Sequence, residues 1–294
     1  MGGRIAGRIL ERGATLWAYD ADPRRVGASG ARAAGSVGEL VAESEVVLLS
    51  LPDSGVVESV VLADGGVLAS CRPGQVVADL STSSPQSSVA IHDALREKGV
   101  EFLDAGISGG AAAAERGTLT LMVGGSKDAL DGVRWLLDCF SAQVFHMGPS
   151  GSGHTAKLLN NFLNGVSLAA TAEVMVAARK AGLDLEQFLD VLNHSSGVNF
   201  ATLNRFPSIV KGDYLEGGLT GRLMAKDIRL YVDLMGRLGA PTLNGPACLA
   251  TFEVTNALGY GDQISNRVVD GLGDMAGGVR VHDRPANEEG NHPT

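Results

Sequence analysis

The chain has 294 residues, a net charge of −9 and a sequence in which 45% of residues are hydrophobic. That length accommodates two domains with separate cores, and an acidic balance without a basic stretch excludes a nucleic-acid surface. No apolar run reaches the length of a membrane span, and the start of the chain lacks the charged-then-apolar plan of a signal peptide, so no membrane partner and a cytoplasmic location are expected. Cys71, Cys139 and Cys248 are widely spaced, match neither a metal site nor a disulfide framework, and are expected to be small reduced core residues.

In chain order, residues 5–12 have helical spacing, with Ile5, Ile9 and Leu10 on one face and Gly13 at the C-cap. Residues 15–19 follow as a strand ending on Asp20. A short helix over 39–45 precedes an apolar strand over 46–51, stopped by Pro52. Helices over 56–61 and 85–98 alternate with strands over 75–80 and 100–105, and strands over 119–124 and 142–146 flank a helix over 127–139. Nearly all-apolar strands alternating with helices predict a parallel sheet covered on both faces. From His154 the period becomes helical, in one long element to about Gly182 and then over 185–192 and 223–238, with no convincing strand between 183 and 270.

The expected fold class is therefore α/β, with a doubly wound, Rossmann-like parallel sheet over residues 1–150. An all-helical substrate and dimerisation domain follows over 151–275. Residues 276–294, rich in Gly, Asp, Glu and Pro, are expected to form a disordered tail.

Within Gly151–Asn161 (Gly-Ser-Gly-His-Thr-Ala-Lys-Leu-Leu-Asn-Asn), Lys157 stands four residues before Asn161 on one helix face. An ammonium and a carboxamide aimed into one cleft suit a reaction in which a carbonyl oxygen gains negative charge and a proton. Asn164 at i+7 shares that face, and Gly151 and Gly153 permit close backbone approach. Asp20, at the end of a strand about twenty residues after Gly2-Gly3, is placed to accept from the hydroxyls of a nucleotide ribose. Ser108-Gly109-Gly110 offers a hydroxyl and unobstructed N–H groups to a carboxylate, or forms a tight turn needing positive φ. Ser81-Thr82 ends a strand where open α/β sheets bind ligands, or caps the helix at Pro85. Lys226-Asp227 also reads as an exposed ion pair.

Met1-Gly2-Gly3-Arg4-Ile5-Ala6 through Tyr19-Asp20 resembles the start of the β-hydroxyacid dehydrogenase family (3-hydroxyisobutyrate dehydrogenase and its relatives), entered partway through the family's Gly-x-Gly-x-Met-Gly turn. Leu51-Pro52-Asp53, Asp79-Leu80-Ser81-Thr82-Ser83-Ser84-Pro85 and Asp104-Ala105-Gly106-Ile107-Ser108-Gly109-Gly110 resemble its later motifs, and the likeness runs to about residue 270. The resemblance implies a hydride-transferring oxidoreductase acting on a small 3-hydroxy acid with NAD, NADP being possible, and a homodimer or homotetramer. It implies Lys157 as acid/base, Asn161 as orienter, and Ser108, Gly109 and Gly110 as substrate binders. Gly2, Asp20, Leu51, Pro52, Asp53, Thr82, Lys226 and Asp227 fall to the cofactor, and His154 is a polar helix-start residue.

Three departures from the family pattern carry expectations. Gly106 in place of Pro should loosen the substrate loop, and Leu219 in place of Phe should alter the apolar lid. The sheet should lack its first, central strand and the pyrophosphate turn, leaving two inner strand edges bare. A cofactor-impaired pseudoenzyme, serving as a helical dimerisation or binding module, is the alternative function.

Overall fold

The computed structural model describes residues 1–27 and 29–283. They form two compact units that divide after Leu158. In the first, α1 (Gly2–Glu11) is followed by β1 (Trp17–Ala18), α2 (Pro23–Gly27), β2 (Arg32–Ala33), α3 (Val37–Ala42) and β3 (Val46–Leu49). Next come α4 (Ser54–Leu62), α5 (Val67–Ser70), β4 (Val76–Asp79), α6 (Pro85–Arg96) and β5 (Glu101–Ser108). Then α7 (Gly110–Arg116), β6 (Leu119–Gly124), α8 (Lys127–Leu137) and β7 (Ser141–Gly148) complete the unit.

Side chains alternate across the strands, and each face has its own core. Val47, Leu49, Val77 and Phe102 pack with Val57, Val61, Ile91 and Leu95 of α4 and α6. Ala78, Leu103, Ala105, Leu121 and Val123 pack with Ile5 and Ile9 of α1 and with Leu130, Val133 and Leu137 of α8. Burial on both faces explains why these strands read as continuous apolar runs.

The strand order is β3-β4-β5-β6-β7, and every neighbour pair is parallel except β5 with β6. The expected parallel sheet is thus present, with one antiparallel pair within it. The link from β5 to β6 holds only the short helix α7 and its flanking glycines, less chain than a parallel crossover needs, so the chain doubles back. The pair β1-β2 forms a separate two-stranded parallel sheet. Among the described residues β1 and β3 are each paired on one side only, and β1 spans two residues where a strand over 15–19 was expected.

The helix α9 (Ser152–Lys180) runs through the division between the units. The second unit continues with α10 (Leu185–Asn193), α11 (Phe200–Asn204), α12 (Phe206–Ile209), α13 (Gly221–Leu238), α14 (Asn244–Thr255) and α15 (Val268–Met275). Its core gathers Leu168, Ala172, Met175, Phe206, Met224, Ile228, Phe252 and Val268, with Leu219 packed at the margin. Gly165 lets α9 approach α13, since a β-carbon there would stand 3.1 Å from Ile228 Cδ1, and Phe162 stacks on Tyr231 with ring centroids 4.0 Å apart.

The expected tail is corrected at its near end. Val281 and His282 are buried, Val281 within the helical core and His282 with Nε2 2.9 Å from the Tyr214 hydroxyl, which donates to Asp270 at 2.7 Å. Val279 and Val281 pack on the helical core, the Val279 N–H donates to the Gly273 carbonyl at 3.0 Å, and Arg280 pairs with Asp274 at 2.7 Å, which together hold residues 279–283; residues 284–294 lie outside the described residues.

Candidate active site

The start of α9 is fastened to the sheet by Asp104. This carboxylate sits in β5 with no exposure, where Oδ1 accepts the Gly151 N–H at 2.7 Å and Oδ2 the His154 N–H at 2.8 Å. First-turn amides of a helix have no partner inside it, and a carboxylate there also meets the positive end of the helix dipole. Glycine makes the approach possible. A β-carbon on Gly153 would lie 2.2 Å from the Asp104 carbonyl oxygen and one on Gly124 2.6 Å from Asp104 Oδ1, while Gly151 holds φ +89°.

His154 does begin the helix, and it is wholly buried. Its Nδ1 lies 2.7 Å from Ser88 Oγ, and its Nε2 is 3.9 Å from Asp79 Oδ2. Asp79 in turn accepts the Ser81 N–H at 2.9 Å and the Ser83 hydroxyl at 2.8 Å. Two bonded polar groups, Ser88–His154 and Asp79–Ser81–Ser83, therefore face each other across 3.9 Å beneath the C-terminal end of β4, the end where open α/β sheets bind ligands.

One turn further along α9, Lys157 is 8% exposed. Gly106 lies under it: a β-carbon at position 106 would stand 2.5 Å from Lys157 Cβ and 3.0 Å from its Cγ. Gly106 is a buried residue of β5 paired with Met122, so the loosened loop expected there is absent. The missing side chain is the space that the lysine stem occupies.

Asn161 is 4% exposed, and its Nδ2 donates to Oδ2 of Asp227 at 2.6 Å. Since only the amide nitrogen can donate to a carboxylate, this bond settles which way the carboxamide faces. The other oxygen of Asp227 pairs with Lys226 Nζ at 3.1 Å. Asp227 is thus a buried support for Asn161, a link that the spacing of the two residues in the chain did not disclose. Asn164, one turn after Asn161, accepts from Arg205 Nη2 at 2.8 Å. Nothing in the sequence pattern marked Arg205, an isolated cation between Asn204 and Phe206.

The remaining predicted residues lie at strand ends of the first unit. Gly2 opens α1, whose N-cap Met1 has no side-chain bond to the helix. Asp20 follows β1; it accepts the Asp22 N–H at 2.9 Å and stands 4.0 Å from Arg25 Nη1, while Arg24 is engaged by Asp22 through Nε and Nη2. That bond to Arg24 holds the Asp22 carboxyl below its ordinary range. Asp53 caps α4 by accepting the Val56 N–H at 3.0 Å, and the Leu51 N–H donates to Ser81 Oγ at 2.9 Å, so Ser81 links the ends of β3 and β4 and does not cap α6. Thr82 follows Ser81 beyond the end of β4. Ser108 ends β5; Gly109 and Gly110 both hold positive φ, at +122° and +70°. Among the described residues no group of His, Cys, Asp and Glu could hold a metal ion, and no helix is long and apolar enough to cross a membrane.

An uncapped helix start at Gly2 and a half-exposed carboxylate at the end of the adjoining strand fit a dinucleotide. Residues 1–148 match the family model described as the NAD binding domain of 6-phosphogluconate dehydrogenase, and residues 151–270 the one described as NAD-binding of NADP-dependent 3-hydroxyisobutyrate dehydrogenase. The chain belongs to the β-hydroxyacid dehydrogenase family. It is 37% identical over 273 residues to the NAD-dependent L-serine dehydrogenase of Pseudomonas aeruginosa, covering 90% of this chain and 91% of that one. To the 2-(hydroxymethyl)glutarate dehydrogenase of Eubacterium barkeri it is 32% identical over 280 residues, covering 94% and 93%. Its fold matches that of the Mycobacterium tuberculosis 3-hydroxyisobutyrate dehydrogenase, solved with L-serine, at a TM-score of 0.84 and 28% identity over 92% of this chain and 95% of that one. The protein is an NAD(P)-dependent oxidoreductase of small hydroxy acids.

Gly106→Ala tests the seat of the lysine. The added carbon collides with the Lys157 stem, and overpacking of this kind costs about 1–3 kcal/mol. The expected result is a lower melting temperature together with a fall in kcat larger than the change in KM. Wild-type stability and kcat in the variant would show that the close approach is not needed.

Proposed function

We propose that this enzyme oxidises a 3-hydroxy acid of the 3-hydroxyisobutyrate type, with Lys157 as acid/base and NAD as the hydride acceptor. The observation that carries this reading is the fixed position of Lys157, nearly buried against Gly106 one turn before Asn161, on a helix whose start is tied to β5. The names of the relatives add a chemical constraint, because L-serine, 3-hydroxyisobutyrate and 2-(hydroxymethyl)glutarate all carry a hydroxymethyl group on the carbon that bears a carboxylate.

Bound NAD supplies a place for the hydride from the carbon bearing the alcohol. Lys157 Nζ takes the hydroxyl proton as the carbonyl forms and returns it in the reverse direction, a role worth a factor of about a hundred to ten thousand in rate. Asn161, its nitrogen anchored on Asp227, orients the substrate oxygen. Ser108 and the backbone N–H groups of Gly109 and Gly110 bind the carboxylate. Asp20 accepts from the ribose hydroxyls, Gly2 begins the helix facing the pyrophosphate, and Leu51, Pro52, Asp53, Thr82, Lys226 and Asp227 complete the cofactor side. A homodimer or homotetramer is part of the same reading, supported by apolar residues left uncovered on α9 and α10, among them Leu163 at 65% exposure, Val174 and Val191. Three free cysteines support a reducing compartment, the cytoplasm.

Lys157→Ala is expected to lower kcat by a factor of about a hundred to ten thousand with the fold intact by circular dichroism. Lys157→Arg should fail as well, because a guanidinium stays protonated and cannot cycle the proton. Near wild-type kcat in either variant overturns the assignment.

NAD should be preferred over NADP, because the Asp20 carboxylate repels a 2′-phosphate and Arg24 is already held by Asp22. A higher kcat/KM with NADP in a side-by-side assay is the contrary result. Small-angle scattering at micromolar concentration should give at least a dimer's mass; a monomer's mass would remove the oligomer from the proposal.

A further inference from the structure

Arg205 follows α11 and opens α12, half-buried in the second unit. Its Nη1 donates to Asn266 Oδ1 at 2.7 Å and its Nη2 to Asn164 Oδ1 at 2.8 Å, and its guanidinium lies 5.8 Å from the centre of the Phe200 ring. Among the described residues no carboxylate pairs with it, although the chain carries 33 acids against 24 bases. Arg267 in the same unit shows the usual arrangement, bonded to Asp270 at 3.0 Å. Burial alone acts on Arg205 and brings its pKa down to about 10, with no acid to offset the loss of water. Two neutral amides leave the charge uncancelled and three of the five N–H donors unspent. A partly desolvated cation that is oriented, stacked and without a counter-ion is the form of an anion receptor.

Its place on the fold says which anion. Asn164, the residue that holds Arg205, is on the face of α9 that carries Asn161, and it lies seven residues beyond Lys157, or about 10 Å of helix rise. The carboxylate common to 3-hydroxy acids is separated from the alcohol by one carbon, too close to that oxygen to span this rise. We propose that Arg205 binds a second carboxylate, at the far end of the substrate, and that the preferred substrates are dicarboxylic 3-hydroxy acids. The inference rests on the reading of Lys157 and Asn161 as the alcohol site. A single guanidinium with no lysine bonded beside it matches one negative charge, which favours a carboxylate over a phosphate.

The test compares 2-(hydroxymethyl)glutarate with 3-hydroxyisobutyrate on the full chain with NAD, since the two share the hydroxymethyl group and the first carboxylate and differ in the second. Wild type should favour the dicarboxylate at least about tenfold in kcat/KM, chiefly through KM, and Arg205→Gln should shrink that ratio by about ten- to a hundredfold, the worth of charge-assisted hydrogen bonds. Arg205→Lys should recover part of it. A wild-type ratio of one or less, or a ratio that Arg205→Gln leaves unchanged, overturns the proposal; should both variants fail to fold by circular dichroism, the wild-type ratio decides. Binding of glutarate, which has no alcohol to oxidise, separates this inference from the one beneath it. If no hydroxy acid is turned over yet glutarate binds wild type and not Arg205→Gln, the carboxylate site stands while the Lys157 reading falls. Glutarate that does not bind wild type, or that inorganic phosphate displaces at equal concentration, refutes the site.

Discussion

The two hydrogen bonds from the start of α9 to the Asp104 carboxylate are the constraint on which the rest of the site depends. A carboxylate without access to water is tolerated only when donors replace that water, and here the donors are the amide of Gly151, just before α9, and that of His154 in its first turn, which need an acceptor of their own. Each side therefore satisfies the other. The contact can form only because Gly124 and Gly153 bring backbone against backbone, and once formed it fixes the axial position of Lys157 and the residues that follow on the same face. Precision of this kind is what the proton transfer proposed for Lys157 requires, since such a group must lie within hydrogen-bond reach of the atom it serves.

Three polar residues of α9 are held by partners from elsewhere in the fold, and the partners differ in kind. His154 meets the hydroxyl of Ser88, Asn161 a carboxylate, and Asn164 a guanidinium. The stem of Lys157 is seated against a strand that lacks a side chain at the point of contact. Rotamer freedom is removed before any ligand arrives, so little of it remains to be lost on binding.

Much of this was legible in the chain itself, because the strands of a doubly wound sheet are buried on both faces and read as unbroken apolar runs, while the Lys157–Asn161 spacing reports a helix face directly. What failed to show has identifiable causes. Strand direction leaves no trace in composition, so the reversal at β6 was invisible except in the shortness of the link from Ser108 to Leu119. Gly106 suggested a loop because a strand glycine and a loop glycine are the same letter, and only the position of the Lys157 stem separates them. The elements α2, β2 and α5 are too short to carry a period. The roles of Asp227 and Arg205 depend on partners more than forty residues away, and no spacing rule spans such a distance.

Hydrogen exchange brings out a consequence of the Asp104 clamp. The opening amides of a helix ordinarily trade their protons with water almost freely, because no carbonyl within the helix shields them. The amides of Gly151 and His154 end on a carboxylate beneath the sheet, so their protons escape only when β5 itself opens. Helix α9 thereby inherits, at the terminus where helices usually fray, the lifetime of the central sheet.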